Sequence, residues 1–204
     1  MLENENQLVS ALNEYQRLID NFSLYLPMDS IINKMMSLRE STALKSQKKE
    51  REKYFQKERS LSELYFERFY YDLKKSDQNF KWWEKRIDNL KNEKKNAEGE
   101  EDKMLDRILY SVYALAIESV TIEGVDNLNQ AVFCYDICIK IYPEHYLLYF
   151  KQIDNCLQLG KEDQAMDYLE KLILAGYQDI EGISTNSLFD PIRNKKRYQE
   201  LIKQ

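Results

Sequence analysis

An all-α fold is what this sequence predicts, on three observations. Its 204 residues hold only five glycines and three prolines, well under the about 12% of ordinary chains. Charged residues make up 32% of it, and it is rich in Lys, Glu and Leu, which favour helices. Apolar residues recur in steps of three and four, the spacing that gathers them on one helical face. The length allows one large or two small domains, either with a real core.

The composition narrows the function classes. A net charge of −5 argues against polyanion binding by the chain as a whole. No run of 18 apolar residues occurs, so no membrane-spanning helix is expected. The opening MLENENQ lacks the basic-then-apolar layout of a signal peptide, which points to the cytoplasm, although a trimmed secreted chain would look the same.

The first seam runs through residues 6–26, with Leu8, Leu12, Tyr15, Ile19, Phe22 and Leu26 on one helix face. Pro27 should end that helix, and Asp29 or Ser30 can cap the next. Ile31 or Ile32, Met35 and Leu38 then begin a second seam, expected to fold back on the first as a hairpin. The same seam could pair with a second copy of the chain, giving an architectural homodimer. From Lys45 to Arg59 the apolar pattern nearly vanishes: KSQKKEREKYFQKER holds seven basic and three acidic residues around Tyr54 and Phe55. Such a stretch can grip nucleic acid, but the acidic chain around it favours a solvated helix instead.

Residues 60–75 reverse the trend. Ser60 and Glu63 suit a capping box, and Leu61, Leu64, Tyr65, Phe66, Phe69, Tyr70 and Leu73 cover more than one face. Burial on two sides is the expectation. Asp77 can cap a helix carrying Phe80, Trp83, Ile87 and Leu90, with Trp82 off that seam. KNEKKNAEGEEDK, residues 91–103, is the clearest boundary, with Gly99 inside a charge run. It divides a long-helix hairpin or coiled-coil-like region, 1–99, from a second region, 100–204. Glu98, Glu100, Glu101 and Asp102 lack the ligand spacing of a calcium loop and suit the acidic first turn of a helix bearing Leu105, Ile108, Val112, Leu115 and Ser119.

Residues 131–177 carry the most specific signal. Ala131 and Ala165 each open an amphipathic pattern and stand 34 residues apart, as do the closing Pro143 and Tyr177. In LQLGKEDQA, Gly160 stops one helix and Ala165 packs the next against it. This segment resembles a tetratricopeptide repeat. The resemblance implies a helix over 146–159 paired with one over 163–174, with Leu169 and Leu172 at apolar family positions. In the preceding unit Ala131, Tyr135, Cys138 and Pro143 take the equivalent places, after a first helix near 102–121 and an enlarged turn, TIEGVDNLN. Gln152 and Ile153 depart from the family's leucine and small residue. The tail, with Phe189, Asp190, Pro191, Ile192 and Arg193 before Tyr198 and Leu201, resembles a degenerate closing repeat that covers an otherwise exposed apolar face.

The resemblance implies that the first helix of each pair lines a concave face that binds another protein or peptide. In this register Leu147, Phe150, Lys151, Asp154 and Leu157 point into that groove. Lys151 alone does not reproduce the family's carboxylate clamp. Packing of the N-terminal helices into the groove is the competing expectation.

No catalytic constellation can be assembled. There is no Gly-rich phosphate loop and no GxSxG. Cys134 and Cys138 lie one turn apart, but with Cys156, one histidine (His145) and no CxxC they do not make a zinc set. Neither metal nor other cofactor is expected. The resulting expectation is a non-catalytic interaction scaffold that binds a polypeptide. The alternatives are a regulator touching nucleic acid through residues 45–59 and an architectural homodimer.

Overall fold

The computed structural model describes residues 7–8, 10–17, 28–39, 42–75, 80–121 and 128–203. Every regular element among them is helical, so the protein is all-α. Residues 7–8 and 10–17 form α1. There follow α2 (Met28–Arg39), α3 (Thr42–Leu73), α4 (Phe80–Lys94), α5 (Gly99–Thr121), α6 (Leu128–Ile141), α7 (Tyr146–Gln158), α8 (Glu162–Leu174), α9 (Ile180–Thr185) and α10 (Lys196–Leu201). Ile19, Phe22, Leu26 and Pro27 of the first seam, the Asp77 cap and residues 122–127 of the enlarged turn lie outside the described residues. Contacts gather into two units, Met1–Lys57 and Glu58–Gln204, and α3 contributes to both.

In the first unit, Tyr15 of α1 and Ile31, Asn33, Lys34 and Ser37 of α2 line one depression. Met35 is buried and Ile32 is exposed, so α2 faces inward along one stripe. The part of α3 that belongs here is mostly solvent-exposed, as expected for a face with seven basic residues between Lys45 and Arg59.

Two expectations for α3 are corrected. The helix does not restart at Ser60 but runs unbroken for 32 residues. No Gly or Pro interrupts Thr42–Leu73, and Lys, Arg, Glu and Gln propagate helix well. Glu63 accepts from Arg59 one turn earlier at 2.9 Å instead of closing a capping box. Nor is its aromatic end buried on two sides. Tyr65 and Phe69 are buried, while Leu64 and Phe66 are 46% and 51% exposed.

In the second unit, α3 contributes buried Tyr65 and Phe69. The rings of Phe69, Trp83 and Phe133 meet at 6.2 and 6.1 Å, joining α3, α4 and α6. Trp82, off the α4 seam, packs edge-on to Tyr65 and takes the Arg68 and Arg86 guanidinium groups on its ring. Gly99 opens α5 at φ +59, and Glu100, Glu101 and Asp102 form its acidic first turn. Lys94 pairs with Asp102 at 2.8 Å and Asp106 at 3.3 Å, so the end of α4 is tied to the start of α5, and the two helices pack together.

From α5 to α8 each helix packs on the next: α5 on α6, α6 on α7, α7 on α8. The connections 142–145 and 159–161 are short, which folds neighbours back on each other. Gly160, at φ +69, ends α7: its N–H bonds Leu157 O at 3.0 Å and the Lys161 N–H bonds Cys156 O at 2.8 Å. Ala131 and Ala165 are both buried, as are Leu169 and Leu172. Full burial of each such leucine contributes about 1.5–3 kcal/mol.

A compact closing segment follows. Asp179 caps α9 by accepting from Gly182 N, and Asn186 caps a single 3-10 turn, Ser187–Phe189. Phe189, Ile192 and Tyr198 have no exposed surface, and the Tyr198 hydroxyl donates to Ile183 O at 3.2 Å. Arg197 pairs with Asp167 and Glu170 at 2.7 Å each, binding α10 to α8.

Candidate functional site

The five residues expected in a groove all lie on α7, but in different surroundings. Leu147 is 68% exposed and Lys151 is exposed, whereas Phe150, Asp154 and Leu157 are half-buried. The Phe150 ring meets Tyr177 at 5.4 Å and Phe189 at 6.1 Å, and Tyr177 also meets Tyr146 at 5.3 Å. Phe150 is thus held by ring contacts to Tyr177 and to the closing segment, while Leu147 and Lys151 are exposed on the same helix. The opposite side of α7, with Leu148, Tyr149, Gln152, Ile153 and Cys156, is buried. Helical periodicity therefore sets the two sides apart.

Beside the start of α7 lies an aromatic cluster. Tyr113 of α5 packs edge-on to Tyr142 at 5.0 Å, and its hydroxyl lies 3.3 Å from His145 Nδ1. Tyr110, 62% exposed, extends the cluster along α5. The single histidine is thus part of a surface tyrosine cluster.

A cavity of about 490 Å³ lies among α4, α6, α7 and α8. Phe80, Glu84, Asp88 and Lys91 line it from α4, and Asp136, Ile139 and Lys140 from α6, with Pro143 just beyond. Tyr149 contributes from α7, and Tyr168 and Lys171 from α8. At its base, Asp136 Oδ1 accepts from Gln152 Nε2 at 2.9 Å and from the Tyr168 hydroxyl. Desolvation pushes the Asp136 carboxyl up to about 6, against the pull of those two donors and Lys171. Burial also raises the Tyr168 hydroxyl, with the Asp136 charge adding to it. Burial lowers the Lys91 ammonium, which donates to Lys140 O at 2.7 Å. Lys140 pairs with Asp88 at 2.9 Å and Glu84 at 3.5 Å.

Sequence reasoning missed this constellation because its members come from four helices spread over residues 80–171. One local signal existed: Asp136 is the lone carboxylate inside the apolar run AVFCYDICI. Gln152, read only as a departure from a leucine position, is its partner. Its Nε2 also donates to Val132 O at 2.9 Å, while its Oε1 is buried with no partner.

Cys134, Cys138 and Cys156 are buried free thiols. Among the described residues no group of three or more His, Cys, Asp or Glu side chains could hold a metal ion. No helix among them is long and apolar enough to cross a membrane. Comparison with protein-family models, curated proteins and solved structures finds no match to this chain.

Proposed function

We propose that the second unit is a tetratricopeptide-like array that binds an extended segment of another protein across the exposed face of α7. The observation that carries this reading is Leu147, a large apolar side chain 68% exposed on a helix whose opposite side is fully packed. Lys151 and Asp154, one and two turns further on, add a cation and an anion beside it. An apolar anchor flanked by both charges suits a peptide whose side chains alternate in character. The Phe150–Tyr177–Phe189 contacts support it by tying α7 to the closing segment, which lowers the ordering cost of binding. The buried alanines 34 residues apart and the closing segment support the repeat assignment.

The test is affinity capture from nuclease-treated lysate with the wild-type protein beside a Leu147→Asp, Lys151→Glu variant. Both positions are exposed, so the variant should keep the wild-type thermal midpoint. A polypeptide captured by the first and lost by the second, and then bound directly after purification, supports the reading. Equal capture by both overturns it.

A second reading draws on the exposure of Lys48, Lys49, Arg51 and Lys53 on α3, with Phe55 57% exposed among them. It makes that stretch a polyanion contact. Its signature is salt-dependent binding to RNA or DNA, lost when those four charges are neutralised.

A further inference from the structure

The cavity among α4, α6, α7 and α8 has no part in peptide binding across α7, because Leu147 and Lys151 point away from the side on which Tyr149 lines it. At about 490 Å³ it falls in the range of small-molecule sites. We propose that it binds a small zwitterion of the α-amino-acid type, with the ammonium group on Asp136, the carboxylate on Lys171 and an apolar side chain toward Phe80 and Pro143.

The open hydrogen-bonding positions define the ammonium end. Both bonds to the Asp136 carboxylate fall on Oδ1, leaving Oδ2 to accept. The amide that donates one of them, Gln152, is itself fully buried behind the lining and holds Oδ1 in place. A primary ammonium has three donors and no acceptor, so it can donate to Oδ2 while bringing no acceptor of its own that would need a partner.

The charges define the other end. Glu84 and Asp88 both pair with Lys140, and the Lys91 ammonium is committed to Lys140 O. Asp136 and Lys171 remain as lining charges outside any ion pair. They flank one ring: the Tyr168 hydroxyl donates to Asp136, and Lys171 Nζ lies 4.7 Å from the centre of the same ring. A ligand with opposite charges a few bonds apart bridges such a pair. With three carboxylates and three ammonium groups in the lining, neither a polyamine nor a polyanion is favoured. The apolar walls call for an apolar side chain.

The test is calorimetric titration of the full chain at pH 8 with L-phenylalanine, with N-acetyl-L-phenylalanine, which lacks the ammonium, and with phenethylamine, which lacks the carboxylate. L-phenylalanine should bind, and each truncated analogue should bind at least about tenfold more weakly, because each leaves one of the two unlike charges, Asp136 or Lys171, without its partner. Asp136→Asn should weaken L-phenylalanine by a similar factor. Lys171→Met, at an exposed position that tolerates the change, should abolish the preference over phenethylamine. Wild-type affinity should fall as pH drops through about 6. The groups facing Asp136 in that titration are Glu84 from α4, Cys156 from α7, and Tyr168 and Lys171 from α8. No heat of binding with L-phenylalanine, leucine or methionine overturns the proposal. So does equal binding of phenethylamine, or affinity unchanged in both variants. The Leu147→Asp, Lys151→Glu variant should bind L-phenylalanine like wild type, so failure at this cavity and failure at the α7 face are separately visible.

Discussion

Gln152 Nε2 donates to Asp136 Oδ1 at 2.9 Å, a polar bond between α7 and α6 at a depth where the adjacent Ile153 is fully buried. The same amide group bonds Val132 O, so one side chain ties two successive turns of α6. Gln152→Ala should lose both bonds and open a cavity, at a cost of about 2–4 kcal/mol. Gln152→Leu should cost less, because it fills the space and removes the orphaned Oε1. Urea unfolding midpoints of the two variants check the order.

Asp136 should couple stability to pH. Burial holds its folded carboxyl near 6, above the about 3.9 of an unfolded chain. The folded state therefore binds the proton more tightly. The stability this contributes is fully present below pH about 4 and is lost as pH rises through about 6. At most roughly 3 kcal/mol is involved. Asp136→Asn keeps an oxygen for Gln152 and Tyr168 but cannot titrate. The stability difference between variant and wild type should move in the variant's favour between pH 4 and pH 8, and a constant difference would count against the shift.

Asp72 has no exposed surface, and its Oδ2 accepts from Trp83 Nε1 at 3.0 Å and Arg68 Nε at 2.7 Å. Its Oδ1 is already without a partner. Trp83→Phe should remove the indole donor that reaches Asp72 from α4, at a cost of about 2–4 kcal/mol. Calorimetry should then record a thermal midpoint lower by roughly 5–12 °C.

Gly160 sits at φ +69 with no atom within 4 Å of where a Cβ would stand. The cost of Gly160→Ala is therefore one of backbone conformation, about 1–2 kcal/mol. Gly160→Asn should recover part of it, since asparagine tolerates the left-handed region. Chemical denaturation of the pair distinguishes this from a steric effect, which would penalise Asn more.

The three thiols should be inert while the protein is folded. Burial pushes Cys134 up to about 12 and Cys156 up to about 11, and raises Cys138 further. With so little thiolate at pH 8, a chromogenic disulfide reagent should find no fast-reacting group in the native protein and three after denaturation.

What the sequence determined by itself was local. Few breakers and a three-four apolar rhythm gave an all-α protein. Gly160, between a run ending at Gln158 and one starting at Glu162, marked a helix end because only glycine takes that conformation cheaply. The acidic triplet Glu100 to Asp102 marked the first turn of α5, because carboxylates are stabilised at a helix N-terminus. Tertiary structure decided which faces meet. It left Leu64 and Phe66 exposed although the apolar spread of residues 60–75 suggested burial on two sides, because the rings that reach this end of α3 from α4 and α6 meet Tyr65 and Phe69. It carried α3 through Ser60, whose capping potential cannot compete with an uninterrupted hydrogen-bonded ladder. It also brought Asp136, Gln152, Tyr168 and Lys171 together from three helices. No spacing in the chain encodes that cluster, because each helix fixes only its own faces and their juxtaposition arises when the helices stack.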